Sequence, residues 1–256
     1  MAVPWTESVP QFGVVAGALA SLLVVYAAVG EPLLGRRAFT RLQRTRGSDP
    51  RALVRFYRLA MGVHLAWTVA IALIVLLAPG VDAAHLGLRA PQAWLPLLAA
   101  VFGFGAALLI IWLITRDRGR SAPETGSPPL PPLPDPGQAL GVLAPRGSRE
   151  RRTAAAVAVT AGVGEELLYR GLLVAFGTAL GAPVWLAAIA ACVLFALAHL
   201  YQGWWGLVGP GLLGALFMVV YLGTGSLLIP IAVHIALEMR SLLLSGSGRR
   251  HRARAL

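Results

Sequence analysis

The sequence predicts an all-α membrane protein, a polytopic bundle of about seven transmembrane helices with the N-terminus outside and the C-terminus cytoplasmic. Of its 256 residues, 57% are hydrophobic and only 13% are charged, and the mean hydropathy is +0.71, whereas a soluble domain of this length needs far more polar surface. The charges also lie mostly between apolar runs. Seven spans place every arginine cluster on one side, as the positive-inside rule requires.

The N-terminal region, residues 1–120, is predicted to hold three transmembrane helices. The apolar run 12–30 is interpreted as the first, because residues 1–11 carry no basic residue and so lack the n-region of a cleaved signal peptide. Segment 36–58 contains eight arginines against one acid, which indicates a cytoplasmic loop. Runs 60–78 and about 93–115 are the second and third predicted spans.

A proline-rich linker separates the two halves of the chain. Residues 121–136 contain seven prolines, a composition typical of an extended segment without a packed core. We therefore predict a cytoplasmic linker at 121–150. Residues 246–256 are predicted to form a basic cytoplasmic tail.

The second half, 151–245, is predicted to be a four-helix core. Its apolar runs lie at roughly 153–180, 183–200, 206–222 and 227–245. The connections at 181–183 and 223–225 are too short to be anything but tight turns. We find no internal repeat, which weakens the alternative of a transporter built from duplicated halves.

The net charge of +11 would suggest a nucleic-acid ligand in a soluble protein. Here the arginines lie mostly between the apolar runs and set membrane topology instead. The expected partners are therefore the lipid bilayer and a membrane-associated protein or peptide, with no nucleic acid. The Arg- and Ala-rich composition favours an integral protein of a bacterial inner membrane.

Ionisable residues inside the predicted core helices are few. Each costs about 2.5–3.5 kcal/mol at a helix centre on insertion scales, so such residues mark sites of chemistry or transport. The fourth helix carries Glu165, Glu166 and Arg170, the fifth carries His199, and the seventh carries His234 and Glu238.

Helical spacing assigns faces to these residues. Glu166 and Arg170 are four apart and can neutralise each other, while Glu165 points away from Arg170 and stays free to react. A glutamate and two histidines around a wet pocket suit hydrolysis by water, with a base, a group that holds the water and an oxyanion donor. The alternatives are helix packing by a Glu–Arg pair and satisfied histidines, and a transporter's proton relay.

Three patterns taken in order resemble a known family. They are Glu165-Glu166-x-x-x-Arg170, Phe195-x-x-x-His199 and His234-x-x-x-Glu238, and they are similar to the motifs of the CPBP intramembrane proteases, the type II CAAX prenyl endopeptidase and abortive-infection-like family. The resemblance covers about 150–245. It implies an all-helical membrane endopeptidase of the glutamic type, long classed as a metalloprotease, that cuts a membrane-associated protein near the cytoplasmic face.

The resemblance also implies a role for each motif residue. Glu165 would be the general base, His199 would help to bind the attacking water, and His234 would stabilise the oxyanion. Glu166 and Arg170 would complete the first motif in a supporting role.

The chain departs from the family at Glu238, where Asn or sometimes Asp is usual. An ionised carboxylate there would repel a developing oxyanion, which leaves open a catalytically silent member acting as a membrane binding, immunity or scaffolding protein. It also leaves zinc open, with Glu165, His199 and His234 as ligands. We expect no cofactor, since the sequence contains no HExxH.

Overall fold

A computed structural model describes residues 8–116 and 141–244 of the chain. Within these residues the fold is all-helical, with one isolated bridge between Gln11 and Gly80, so the all-α part of the predicted fold class is confirmed. Seven long helices are described: α1 Val14–Thr45, α2 Ala52–Leu77, α3 Leu95–Arg116, α4 148–179, α5 Val184–Ala198, α6 Trp204–Thr224 and α7 Leu228–Leu244. Residues 121–140 of the predicted linker, and the tail 246–256, lie outside the described part.

Three helical stretches are long and apolar enough to cross a bilayer. They are Val14–Thr45, Ala52–Leu77 and Gly206–Thr224. The apolar α5 has 15 residues, or about 22 Å at 1.5 Å per residue, which is short of a hydrocarbon core of roughly 30 Å. These helices indicate an integral membrane protein, while the count of seven spans and the orientation of the termini remain predictions.

The prediction of a loop over 36–58 is wrong. α1 continues without a break to Thr45, and α2 begins at Ala52. The arginine-rich stretch stays helical because it is amphipathic: Phe39 and Leu42 are buried and join a hydrophobic cluster with Tyr57 of α2 and Leu143. The arginines mark a helix end and a short turn rather than an extended loop.

The turns of the second half are as tight as predicted. Gly181 after α4 has φ +89° and Gly225 after α6 has φ +67°. This left-handed conformation is accessible to glycine without a Cβ clash, and it is a common way to end a helix. The two turns therefore return the chain directly into α5 and α7.

α4 packs against both α2 and α7, and two glycines permit the close approach. A Cβ on Gly162 would lie 2.5 Å from Cγ1 of Ile235 on α7. A Cβ on Gly164 would lie 3.1 Å from both Cβ and the carbonyl oxygen of His64 on α2. The backbone just before Glu165 is thus pressed between two helices that each carry a histidine.

A buried ion pair joins the N-terminal helices to the core. Arg46, in the turn after α1, donates from Nη1 to Oε1 of Glu150 at 2.6 Å and from Nη2 to Oε2 at 2.9 Å. Its Nε also donates to the carbonyl oxygen of Val142 at 3.2 Å. Such two-pronged contacts fix geometry as well as charge, so this arginine holds the start of α4 in place.

Candidate active site

The Glu166–Arg170 pair lies in a widened turn of α4. Residues Glu166–Leu172 form a π-helix, a feature frequently found at functional sites. Nη1 of Arg170 donates to Oε1 of Glu166 at 3.0 Å, and Nη2 donates to the carbonyl oxygen of Gly214 on α6 at 3.0 Å. The guanidinium also lies 4.3 Å from the ring centroid of Phe195 on α5. The contact predicted from the spacing is present, and it ties α4 to two neighbouring helices.

His234 extends this pair into a chain of three buried groups. Its Nδ1 lies 2.8 Å from Oε1 of Glu166, the same oxygen that accepts from Arg170. A carboxylate accepts hydrogen bonds, so the imidazole donates from Nδ1 and its tautomer is fixed. Nε2 of His234 is left for the opposite side, where it lies 3.8 Å from Oε2 of Glu165.

Glu165 lies between two imidazoles and does not contact Arg170 as Glu166 does. Its Oε1 is 3.5 Å from Nε2 of His64 and its Oε2 is 3.8 Å from Nε2 of His234. The side chain is 13% exposed, and Oε2 has no hydrogen-bond partner within the described residues. One carboxylate of the adjacent pair is therefore held in a structural network, and the other is available.

His199 follows the last residue of α5. Its Nδ1 is 2.9 Å from the carbonyl oxygen of Phe195. A carbonyl oxygen can only accept, so Nδ1 carries the proton, and Nε2 of the neutral ring is an acceptor. The ring therefore offers one lone pair, to which a water or a substrate donor can bind.

One cavity of about 860 Å³ brings the predicted residues together. Its size lies within the range of ligand-binding clefts, about 300–1,000 Å³. Glu165, His199, His234 and Glu238 all line it, whereas Glu166 and Arg170 lie behind its wall. Helices α1 and α2 supply much of the opposite side, with the lining residues Glu31, Leu34, Ala38, Phe56, His64 and Trp67.

Glu238 lines the cavity without bonding to its neighbour on α7. Its Oε2 is 4.0 Å from Nε2 of His234, which exceeds hydrogen-bond distance. The carboxylate that orients His234 is Glu166, at 2.8 Å. The geometry thus assigns the orienting contact to the first motif, and leaves Glu238 in the cavity wall near Nε2 of His234.

Sequence reasoning missed His64 and Glu31, which both line the cavity. Each had a detectable signal. His64 is the one ionisable residue in the apolar run 60–78, and Glu31 directly follows the run 12–30. An ionisable residue in such a position is a functional candidate by default, but neither lies within a motif.

The arrangement does not fit the zinc site considered from sequence. In the parts of the chain that the structure describes, no group of three or more His, Cys, Asp or Glu side chains converges as metal ligands must. We therefore derive no step through a metal ion.

Comparison with known proteins identifies one region of the chain. Residues 151–239 match the sequence model of a protein family described as Rce1-like: Type II CAAX prenyl endopeptidase Rce1-like. The matched region contains all three patterns from Glu165 to Glu238 and excludes α1, α2 and α3. No curated protein and no solved structure matches the chain. The resemblance stated from the three patterns is confirmed.

Proposed function

Because residues 151–239 match the model of the Rce1-like type II CAAX prenyl endopeptidase family, we propose that this protein is an intramembrane endopeptidase of the glutamic type. It hydrolyses a peptide bond of a membrane-associated protein near the cytoplasmic face. The observation that supports this most strongly is the shared cavity, in which Glu165, His199 and His234 face one space while Glu165 stays outside the Arg170 network.

Glu165 is the general base. Glu165 lines the cavity and its Oε2 has no hydrogen-bond partner in the described residues, so its carboxylate is free to accept a proton from a water molecule there. A positioned carboxylate that removes a proton in the transition state contributes about 10²–10⁴-fold to rate. Glu166 is unsuited to this task, because its Oε1 already accepts from Arg170 and His234.

His199 holds the attacking water. With Nδ1 donating to the carbonyl oxygen of Phe195, Nε2 accepts a hydrogen bond from one O–H of that water. The proton of the other O–H goes to Glu165, which returns it to the amine nitrogen when the C–N bond breaks. The oxygen lone pair is then directed at the substrate carbonyl. Holding the water in this way makes the attack effectively unimolecular, which lowers the entropic part of the barrier.

His234 stabilises the oxyanion. Glu166 holds its Nδ1–H at 2.8 Å, and Arg170 holds Glu166, so the ring cannot rotate away. Nε2 donates to the developing oxyanion when the ring carries both protons. A buried carboxylate orients a catalytic histidine in the same way in the Ser-His-Asp triad. Preorganised hydrogen-bond donors of this kind usually account for a large part of the rate enhancement.

The substrate is proposed to be an apolar or lipid-anchored peptide segment. Most of the cavity wall contributed by α1 and α2 is aliphatic or aromatic, including Leu34, Phe56 and Trp67. A membrane-associated chain can enter such a space without losing its apolar environment. The name of the matched family makes a farnesylated peptide ending in a CAAX sequence the first probe.

The test compares new protein termini in membranes from cells that express wild-type protein or Glu165→Gln. Termini that appear with wild type and are absent with Glu165→Gln support the proposal, and quenched peptides spanning them become the second probe. Asp49→Asn, the same chemical change in an exposed turn outside the cavity, should retain cleavage. Loss of activity on chelation with recovery on zinc addition would contradict the metal-free mechanism.

Glu238 favours one second candidate, a catalytically silent family member that acts by binding. Its Oε2 lies 4.0 Å from Nε2 of His234, where an ionised carboxylate opposes an oxyanion. Identical termini in wild-type and Glu165→Gln membranes, with no cleavage of the farnesylated probe by purified protein, would favour this function and overturn the protease.

A further inference from the structure

We propose that His64, on α2 and outside the matched family domain, is a positioning residue that orients the carboxylate of Glu165. This inference rests on the proposed function and deepens it. A third imidazole would thus serve the site from the N-terminal region.

The contact places His64 and His234 on opposite oxygens of one carboxylate. Nε2 of His64 is 3.5 Å from Oε1 of Glu165, and Nε2 of His234 is 3.8 Å from Oε2. Hydrogen bonds of catalytic groups are often long in the free enzyme and tighten in the substrate complex. A donor on Oε1 leaves Oε2, the oxygen nearer to His234, free to accept a proton.

The packing of α2 against α4 delivers this ring to the site. Gly164, the residue before Glu165, has no side chain to separate the helices, and its ideal Cβ would lie 3.1 Å from His64 Cβ. On the other side, the His64 ring contacts Trp67, with centroids 5.2 Å apart. The imidazole is thus held between a helix backbone and an aromatic ring, and it cannot readily adopt another orientation.

Burying a histidine at this position costs more free energy than burying an apolar side chain of similar size would. His64 is only 6% exposed, and within residues 8–116 and 141–244 its Nδ1 has no hydrogen-bond partner. An apolar ring would avoid burying that nitrogen. The polar contact that remains is the one from Nε2 to Glu165, so the contact with Glu165 accounts for an imidazole at this position.

The expected consequence is a loss of turnover without a loss of binding. Without a donor on Oε1, the Glu165 carboxylate can rotate and present neither oxygen correctly to the water. Misplacement of a reacting group by about 1 Å can cost on the order of 100-fold in rate. Substrate binding does not use the orientation of Glu165, so KM should stay unchanged while kcat falls.

Two amide substitutions separate positioning from packing. In His64→Gln the side-chain amide nitrogen reaches approximately where Nε2 lies, whereas in His64→Asn it lies near the unbonded Nδ1. A third variant, His64→Phe, keeps a ring against Trp67 without a donor. His85→Gln serves as the control, because His85 is also buried but bonds to Asp82 in a connecting segment away from the cavity.

The full-length variants are purified in detergent, and kcat and KM are measured with the farnesylated CAAX probe and with the peptides found by the terminal comparison. We expect His64→Asn and His64→Phe to lose about 10- to 100-fold in kcat at constant KM. His64→Gln should recover most of that loss, and His85→Gln should match wild type. Thermal melting of each variant shows that it is folded, and should His64→Phe fail to fold, the two amides decide.

Three results would overturn the positioning role while leaving the protease intact. They are wild-type kcat in His64→Asn, a rise in KM at constant kcat, or equal losses in the Gln and Asn variants. If wild type itself cuts neither probe, or Glu165→Gln cuts as fast as wild type, the proposed function fails and His64 has no catalytic carboxylate to orient.

Discussion

The core at 151–239 and the N-terminal helices α1 and α2 contribute to the same cavity in different ways. The core supplies a polar network that joins residues close in sequence or in a neighbouring motif, as in the contacts of Glu166 to Arg170 and His234. The N-terminal helices supply mainly an apolar wall, together with the carboxyl group of Glu31 and a single imidazole, His64. The reacting groups belong to one region, and the shape of the space depends on both.

This difference shows why motifs reveal one side of a site better than the other. Residues four apart on a helix share a face wherever the helix packs. The contact between His64 and Glu165 depends instead on α2 lying against Gly164. When two residues of a site lie on different helices, no fixed sequence spacing relates them. The only sequence signal of such a contact is a lone ionisable residue in an apolar run.

The largest expected effect is in the core. Arg170→Ala would leave the buried carboxylate of Glu166 with only the imidazole of His234 as its partner, since the side chains of Glu166 and Arg170 are 0% and 1% exposed. Removing one partner of a buried pair costs about 3–5 kcal/mol of unfolding free energy. Turnover should also fall, because Glu166 is no longer fixed by Arg170 and orients His234 less firmly. Denaturant unfolding in detergent measures the first effect. Arg44→Ala, on an exposed arginine, is the control, and equal stability of the two variants would contradict the network.

An intermediate effect is expected where the two regions meet. Arg46→Ala removes the charged hydrogen bonds to Glu150 and should cost about 1.5–3 kcal/mol of unfolding free energy. Because this pair lies outside the cavity lining, the folded fraction should keep wild-type kcat on the same probes. A fall in kcat at unchanged stability would mean that the interface itself controls the chemistry, and the division between wall and reacting groups would be wrong.

The smallest effect is expected at Glu238. Glu238→Asn removes a carboxylate 4.0 Å from Nε2 of His234 and should raise kcat by about 2- to 10-fold, because the oxyanion is no longer opposed by a neighbouring charge. Steady-state kinetics with wild type and Glu238→Gln alongside would check it, since both amides remove the charge. A loss of activity in both variants would show that Glu238 takes part in the reaction.

Much of the fold could be predicted because apolar runs and glycine turns are local signals. Helices α3, α5, α6 and α7 begin and end within a few residues of the predicted spans. The error at 36–58 came from treating clustered arginines as a loop, although Phe39 and Leu42 keep that stretch helical and buried on one side. The π-helical turns at Tyr26–Gly30 and Glu166–Leu172 gave no sequence signal, because they extend an α-helix without a break.

The sequence predicted which residues belong to the candidate site, but it predicted only some of the contacts between them. All six predicted residues lie at the cavity or directly behind it. The bond between His234 and Glu166 was not foreseen, since it joins residues on α7 and α4 that no spacing rule relates. Glu238 lies four residues after His234 on the same helix, but the carboxylate nearest to the His234 ring is that of the buried Glu166.

The most direct test of the account is the turnover number of purified Glu165→Gln on a probe that wild type cleaves. The amide keeps the size of the side chain but cannot take a proton from water, so kcat should fall by about 10²–10⁴-fold with the melting temperature unchanged. Turnover within about twofold of wild type in a folded Glu165→Gln protein would show that the carboxylate between the two histidines is not the base, and the proposed mechanism would have to be abandoned.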